Sequence, residues 1–339
     1  KALGLLELRL ELPADRGCSE AGGGVCFRRM TTVSLTGTAS LLHNNLACSA
    51  SGWAACVHNS VNAGGGKLLL THTGGPSKDG PEVSQAMSIR YLELTTGPVL
   101  VVSSTNGTQV YNEDASAMLV YVPITDAGTD TDTLKHHQGA CLVPALGHIV
   151  IGTSSGSIIP VAAVPSFMAL AECPPSAATH AVADVCFSEI TNMVVSAHSN
   201  GELRVWTVSP AGTYVNQTIV PAVSQAPVRV ASLGPRLLVA YGPGTLCLFD
   251  AVTYDCQVEL TAHARWVTAV DVREDLGFVA TVGEDTVLNV WQVDASSGRI
   301  GLQHTSVVTD KLLTGAAMLG SEVMVTAYDS GELYRVGVF

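Results

Sequence analysis

Charge is scarce in this sequence. Asp, Glu, Lys and Arg together make 14% of the residues against 47% apolar, so the chain can bury a large core and lacks the excess of solvated charge that marks disorder. Positive charge is scarcer still. Seventeen Lys and Arg stand against 29 Asp and Glu, a formal net charge of -12, which argues against a phosphate-binding surface and hence against a nucleic-acid partner. No apolar run approaches the ~18 residues of a membrane span, so membrane insertion is not expected. The nine cysteines are scattered and odd in number, with no C-x-x-C pair. They read as small hydrophobic residues in a reducing, cytoplasmic compartment.

Catalytic signatures are missing too. There is no G-x-S-x-G elbow, G-x-x-x-x-G-K-[ST] loop, H-E-x-x-H pair or dinucleotide fingerprint, and Gly65-Gly66 ahead of Lys67 lacks the hydroxyl residue and spacing of a phosphate loop. The glycines serve hairpin turns instead. No enzyme, cofactor or metal is therefore expected.

What is present is a spacing that occurs twice. His263 is followed by Thr281 after 18 residues, by Asp285 four on and by Trp291 six further; His180 leads to Ser196 (16 on), Asn200 (four on) and Trp206 (six on). Between these landmarks lie short apolar runs, Val267–Val272, Phe278–Val282 and Val287–Val290, bounded by Gly, Asp or Asn. They are too short for helices and read as strands. The ordered polar residues resemble the WD repeat, in which His, Ser or Thr, Asp and Trp form a hydrogen-bonded chain within one blade of a β-propeller. The chemistry is consistent: a hydroxyl accepts the buried indole N–H and donates to imidazole, and a carboxylate fixes the far ring nitrogen.

Weaker copies follow from the turn and the apolar run after it. Turns at Ser51-Gly52, Asn106-Gly107, Ser155-Gly156, Asn200-Gly201, Gly242–Gly244, Glu284-Asp285 and Asp329–Gly331 place Trp-equivalents near His58, Asn112, Val161, Trp206, Phe249, Trp291 and Arg335. Successive spacings are 54, 49, 45, 43, 42 and 44 residues, converging on the ~40–45 residue period of WD repeats. The longer early spacings leave room for insertions, expected at Gly65–Gly80 and at Thr125–His137. The expected fold is all-β, a seven-bladed WD-repeat β-propeller. The seventh unit ends too near Phe339 to supply an outermost strand, so Thr32–Leu35 is expected to close the ring in the last blade.

Residues 27–339 would form this single domain. Residues 1–26 would be an extension: Gly4–Leu12 (GLLELRLEL) could add an amphipathic strand or be a loosely attached tail, and Pro13 to Val25 reads as a Gly- and Ala-rich connector.

A closer resemblance, to one branch of the WD-repeat family, rests on Cys26-Phe27-Arg28-Arg29, Val33–Asn45, His263-Ala264-Arg265, Gly283-Glu284-Asp285-Thr286 and Val325–Asp329. It implies a seven-bladed propeller without known chemistry, acting as a protein-binding subunit. Departures from the repeat are Asn200 in place of Asp, Phe249 in place of Trp with Pro243 at the Asp position, and Arg335 closing the last unit. Only the fourth and sixth blades keep most of the tetrad.

Each polar landmark also has a plain structural role: His180 and His263 as satisfied core histidines, and Asp285 as a turn residue. Asp130 and Asp132 near His136-His137 could suggest a metal site; no second cluster completes it, and a solvated acidic loop is expected. Asn106-Gly107-Thr108 and Asn216-Gln217-Thr218 match the glycosylation pattern, but no secretory signal is read and neither is expected to be modified.

Two functions remain. The favoured one is a docking scaffold in a multi-protein cytoplasmic assembly, cytoskeletal or ciliary by family analogy, with His198, Ser199, Arg265 and Glu284 on the binding rim. The rival is a propeller enzyme or small-molecule binder using the central channel, where three candidate inner strands offer only Asp184, Asp271 and Arg229.

Overall fold

The computed structural model describes residues 30–59, 65–73, 75–124, 134–177 and 179–338. The extension 1–26, most of the expected acidic loop with Asp130 and Asp132, and residues 60–64 lie outside these residues. The described chain forms seven four-stranded antiparallel sheets, and its one helical element is a short 3-10 turn at Glu274–Leu276. The sheets are the blades of a propeller.

The innermost strands, in blade order, are Ala47–Cys48, Ala86–Leu94, His137–Val143, Val182–Ser188, Pro227–Leu233, Val267–Arg273 and Leu313–Leu319. Each lies against the next, and that of blade one lies against those of blades two and seven. The outermost position of blade seven is held by Thr31–Ser34, which pairs with Glu332–Gly337 from Thr31 opposite Arg335 to Ser34 opposite Glu332.

The core follows from this arrangement. Side chains alternate along a strand, so each blade buries both faces, and the buried apolar residues form one cluster at each of the seven blade-to-blade junctions. Leu68 and Leu70 face blade two while Leu69 faces blade seven. This is why the strands read as apolar runs rather than as a half-polar alternation.

Blade one corrects the repeat reading. The Ser51-Gly52 turn joins its first strand to its second, and His58 lies on that second strand, Trp53–Asn59. The stretch expected to be an insertion, Gly65–Gly80, instead carries the third strand, Gly66–His72, and the start of the fourth, Lys78–Val83. Turn chemistry signals that the chain reverses, but not which two strands the reversal joins.

A further local feature recurs. In six blades the inner strand carries one extra residue near its start, at Met87, Gly139, Ala183, Val228, Thr268 and Thr314. A bulge leaves backbone groups outside the ladder, and here some of them turn toward the channel.

Candidate functional site

In blade six the four landmarks meet in one chain of hydrogen bonds. Trp291 Nε1–H donates to Thr281 Oγ1 at 3.0 Å, Thr281 Oγ1 lies 2.8 Å from His263 Nε2, and His263 Nδ1 lies 2.9 Å from Asp285 Oδ1. With Nδ1 carrying the proton, every group has one role. Asp285 also accepts the backbone N–H of Ala264 at 3.0 Å, clamping the loop before the first strand to the turn between the second and third. Burial pushes the Asp285 carboxyl up, but His263 and these N–H donors outweigh it and leave its pKa lowered.

Trp291→Phe is therefore expected to destabilise by about 1–3 kcal/mol, since it removes the donor to Thr281 in a buried site. Urea unfolding of Trp291→Phe, Thr281→Ala and the double variant checks this. If Thr281→Ala costs the same in both backgrounds, the hydrogen bond contributes nothing to stability.

Blade four is built differently. Trp206 Nε1–H donates to Ser196 Oγ at 2.8 Å, but the imidazole beside that hydroxyl is His198, at 2.9 Å through Nε2. His198 Nδ1 in turn donates to the backbone carbonyl of His180 at 2.8 Å. The expectation for His180 is thus corrected: its side chain is exposed and only its carbonyl joins the chain. Asn200 stays in the turn, accepting the Glu202 N–H at 3.2 Å, and touches no histidine. The expectation for His198 falls with it, because a residue at 0% exposure cannot stand on a binding rim. Ser196 and His198 are two apart on one strand and so share a face, a signal that the longer His180 spacing concealed.

Ser199, Arg265 and Glu284 are exposed. Successive strands alternate direction, so the loops before the first strands and the turns between the second and third emerge on one side of the disc. These three residues share that rim face, in blades four and six with blade five between them. Backbone bonds link the interval: Ser199 O accepts from Ala226 N, Ala226 O from Gly242 N, Gly242 O from Val267 N, and Trp266 O from Glu284 N.

On this face the channel is crossed by a segment that the repeat pattern does not include. Residues 39–46 cross from the outer strand of blade seven to the inner strand of blade one by way of the far side of the ring. Asn44 N–H donates to the bulge carbonyl of Thr268 and its side-chain Nδ2 to that of Val228, both at 2.9 Å, while its Oδ1 accepts Val270 N–H at 2.9 Å. Asn45 N–H reaches the carbonyl of Thr314 at 2.9 Å, and its side chain binds back to Ser40 and Val57. The plug thus satisfies carbonyls that bulges in blades five, six and seven leave unpaired.

Below it, the seven inner strands enclose a cavity of about 370 Å³. Arg90, Asp184 and Asp271 of the inner strands are engaged in the wall, while Arg229 Nε makes no hydrogen bond. Arg90, from an inner strand outside the three considered in sequence, donates to Asp184 at 2.8 Å and to the carbonyls of Ala140 and Val185. Asp184 also accepts Val230 N–H at 3.0 Å, with Arg229 3.9 Å away, and Asp271 accepts Met318 N–H at 2.7 Å. Burial raises the pKa of Asp184, and pushes Asp271 up to about 6 and the Cys141 thiol up to about 12. A thiol so shifted is a poor nucleophile at neutral pH.

The remaining sequence candidates have structural partners. His137 Nδ1 lies 3.1 Å from Thr108 Oγ1, and Asn216 is 6% exposed with its amide bonded to Val205 O. Among the described residues no group of three or more His, Cys, Asp or Glu could hold a metal, and no helix is long and apolar enough to cross a membrane.

The sequence profile of the WDR54 family matches residues 26–338. WD repeat-containing protein 54 of Mus musculus is 28% identical over 337 residues, covering 92% of this chain and 99% of the relative; the Homo sapiens protein of that name is 26% identical over 339 residues, covering 91% and 98%. A chain from the Crystal Structure of Mitotic Checkpoint Complex superposes with a TM-score of 0.71 over 99% of both chains at 14% identity, a likeness of fold. With the profile spanning all seven blades, this chain belongs to the WDR54 family.

Proposed function

We propose that this chain is a non-catalytic docking subunit, binding other proteins through the rim face within a larger cytoplasmic assembly. A cytoskeletal or ciliary setting follows from analogy with other WD-repeat propellers alone. The observation that carries the docking reading is the combination of exposed Ser199, Arg265 and Glu284 with the hydrogen-bonded frame directly beneath them. Loops already ordered by such a frame lose little entropy when a partner binds. The superposed propeller comes from the crystal structure of a complex, which supports the same use of the fold. Against the channel enzyme stands the engagement of Arg90, Asp184 and Asp271 with backbone groups of the wall. The net charge of -12 disfavours nucleic acid as the partner.

Affinity purification of the tagged chain with mass spectrometry, run beside a Ser199→Arg, Arg265→Glu, Glu284→Lys variant, tests the proposal. The partner set captured by the wild-type chain should be lost, with Tm lowered by no more than ~1–2 °C, as expected for exposed substitutions. Unchanged capture by the variant would move the interface off this face.

A further inference from the structure

We propose that the plug is itself the centre of the docking surface, and that it takes an extended partner segment carrying a large apolar side chain beside Lys or Arg. This deepens the docking reading above and rests on it.

The first observation is that Asn44 and Asn45 tie the plug across the rim face to three blades at once, so a partner that reaches the middle of this face meets the plug. The second is what the plug and its neighbours expose. Leu41 is 58% exposed and Tyr328 50%. The start of the plug is held against the Tyr328 turn, because Ala39 pairs with Tyr328 in a parallel bridge and its carbonyl accepts the Asp329 N–H at 3.0 Å. Further along the plug, the ring of His43 stacks on the Trp266 indole, with centroids 6.4 Å apart and planes 28° apart. Gly242 makes room for that indole, since a Cβ there would lie 2.1 Å from it. The plug and the adjoining loops of blades six and seven thus carry two exposed large side chains, Leu41 and Tyr328, and a stacked His43–Trp266 pair. Large rigid side chains around a central position are what binding energy concentrates on.

The third observation is charge. Glu284, Asp310 and Asp329 are exposed on the same face, and Glu284 is close enough to influence the His43 ring. Among the described residues, Arg265 is an exposed cation on this face, and Lys135 and Lys311 are half-buried. Together with the chain's net charge of -12, this favours a basic partner segment, both in steering and in the contact itself.

A library of short random peptides displayed on phage, selected on the full chain, tests the proposal. Enriched sequences should place Lys or Arg within two positions of an aromatic or aliphatic residue. A synthetic peptide of the enriched sequence, followed by fluorescence anisotropy, should bind about tenfold or more weakly to Leu41→Asp and to Tyr328→Ala, and more weakly to wild type as salt rises. Val215→Asp, at an exposed position on the outer strand of blade four, should bind it as wild type does. Both test side chains are exposed, and unchanged melting curves will show that the fold is intact. Failure to enrich peptides, enrichment without the basic–apolar pair, or binding to both plug variants within about twofold of wild type would overturn the inference. If the peptide is lost only by the Ser199, Arg265, Glu284 variant, the inference falls while the docking reading stands; if no variant weakens it, both fall.

Discussion

Arg90→Met should be among the most damaging single substitutions in the chain, costing about 3–5 kcal/mol, the range for removing one partner of a buried ion pair. Arg90 donates to Asp184 and to carbonyls of blades three and four, so its loss leaves a carboxylate at 3% side-chain exposure with the Val230 N–H and a more distant Arg229. The carbonyls of Ala140 and Val185 lose their donor as well. Replacing both members, Arg90→Met with Asp184→Leu, should recover part of the loss, because an uncharged pair leaves no buried charge. Urea unfolding at pH 7.5 of the single and double variants gives the comparison. A cost below about 1 kcal/mol for Arg90→Met would mean that Asp184 is already neutral or solvated in the folded chain.

Acid should unfold this protein through two histidines before most carboxylates matter. Burial lowers the pKa of His137 and of His198 from 6.5 to about 4. A lowered folded pKa means that the unfolded chain binds the proton first, so the stability each neutral ring contributes is full above pH 6.5 and is lost as pH falls toward 4. At about 1.4 kcal/mol per pKa unit, each contributes a fall of about 3 kcal/mol over that window. For His198 the structural cause is visible: Nδ1–H is committed to the His180 carbonyl, and Nε2 accepts from the Ser196 hydroxyl that holds Trp206. Protonating Nε2 breaks that relay. Asp271 works in the opposite sense, since its raised pKa of about 6 makes it favour folding as pH drops through 6. The clean measurement is a difference: His198→Gln should be less stable than wild type at pH 7.5 and should lose less on going to pH 4.5. Parallel stability–pH curves for the two would show that His198 is not protonated on unfolding.

The blade-six tetrad was legible because it is short-range chemistry. His263, Thr281, Asp285 and Trp291 lie within one blade, where two tight hairpins set which residues meet. Blade four has the same landmarks at nearly the same spacing, yet the imidazole comes from the second strand. Spacing alone does not distinguish a histidine whose ring takes part from one whose carbonyl does. In blade one the Gly-containing turn was read correctly as a reversal and assigned to the wrong pair of strands.

By itself the sequence determined the all-β class, the repeat period from blade two onward and the count of seven, because strand length, turn residues and apolar runs act over a few residues at a time. The tertiary structure alone decided the contents of the channel. Asn44 meets Val228 and Val270 from 184 and 226 positions away, and Arg90 meets Asp184 across an intervening blade. Such pairs depend on the bulges that turn inner-strand carbonyls toward the axis and on the ring bringing distant blades together around it, and no local pattern encodes either.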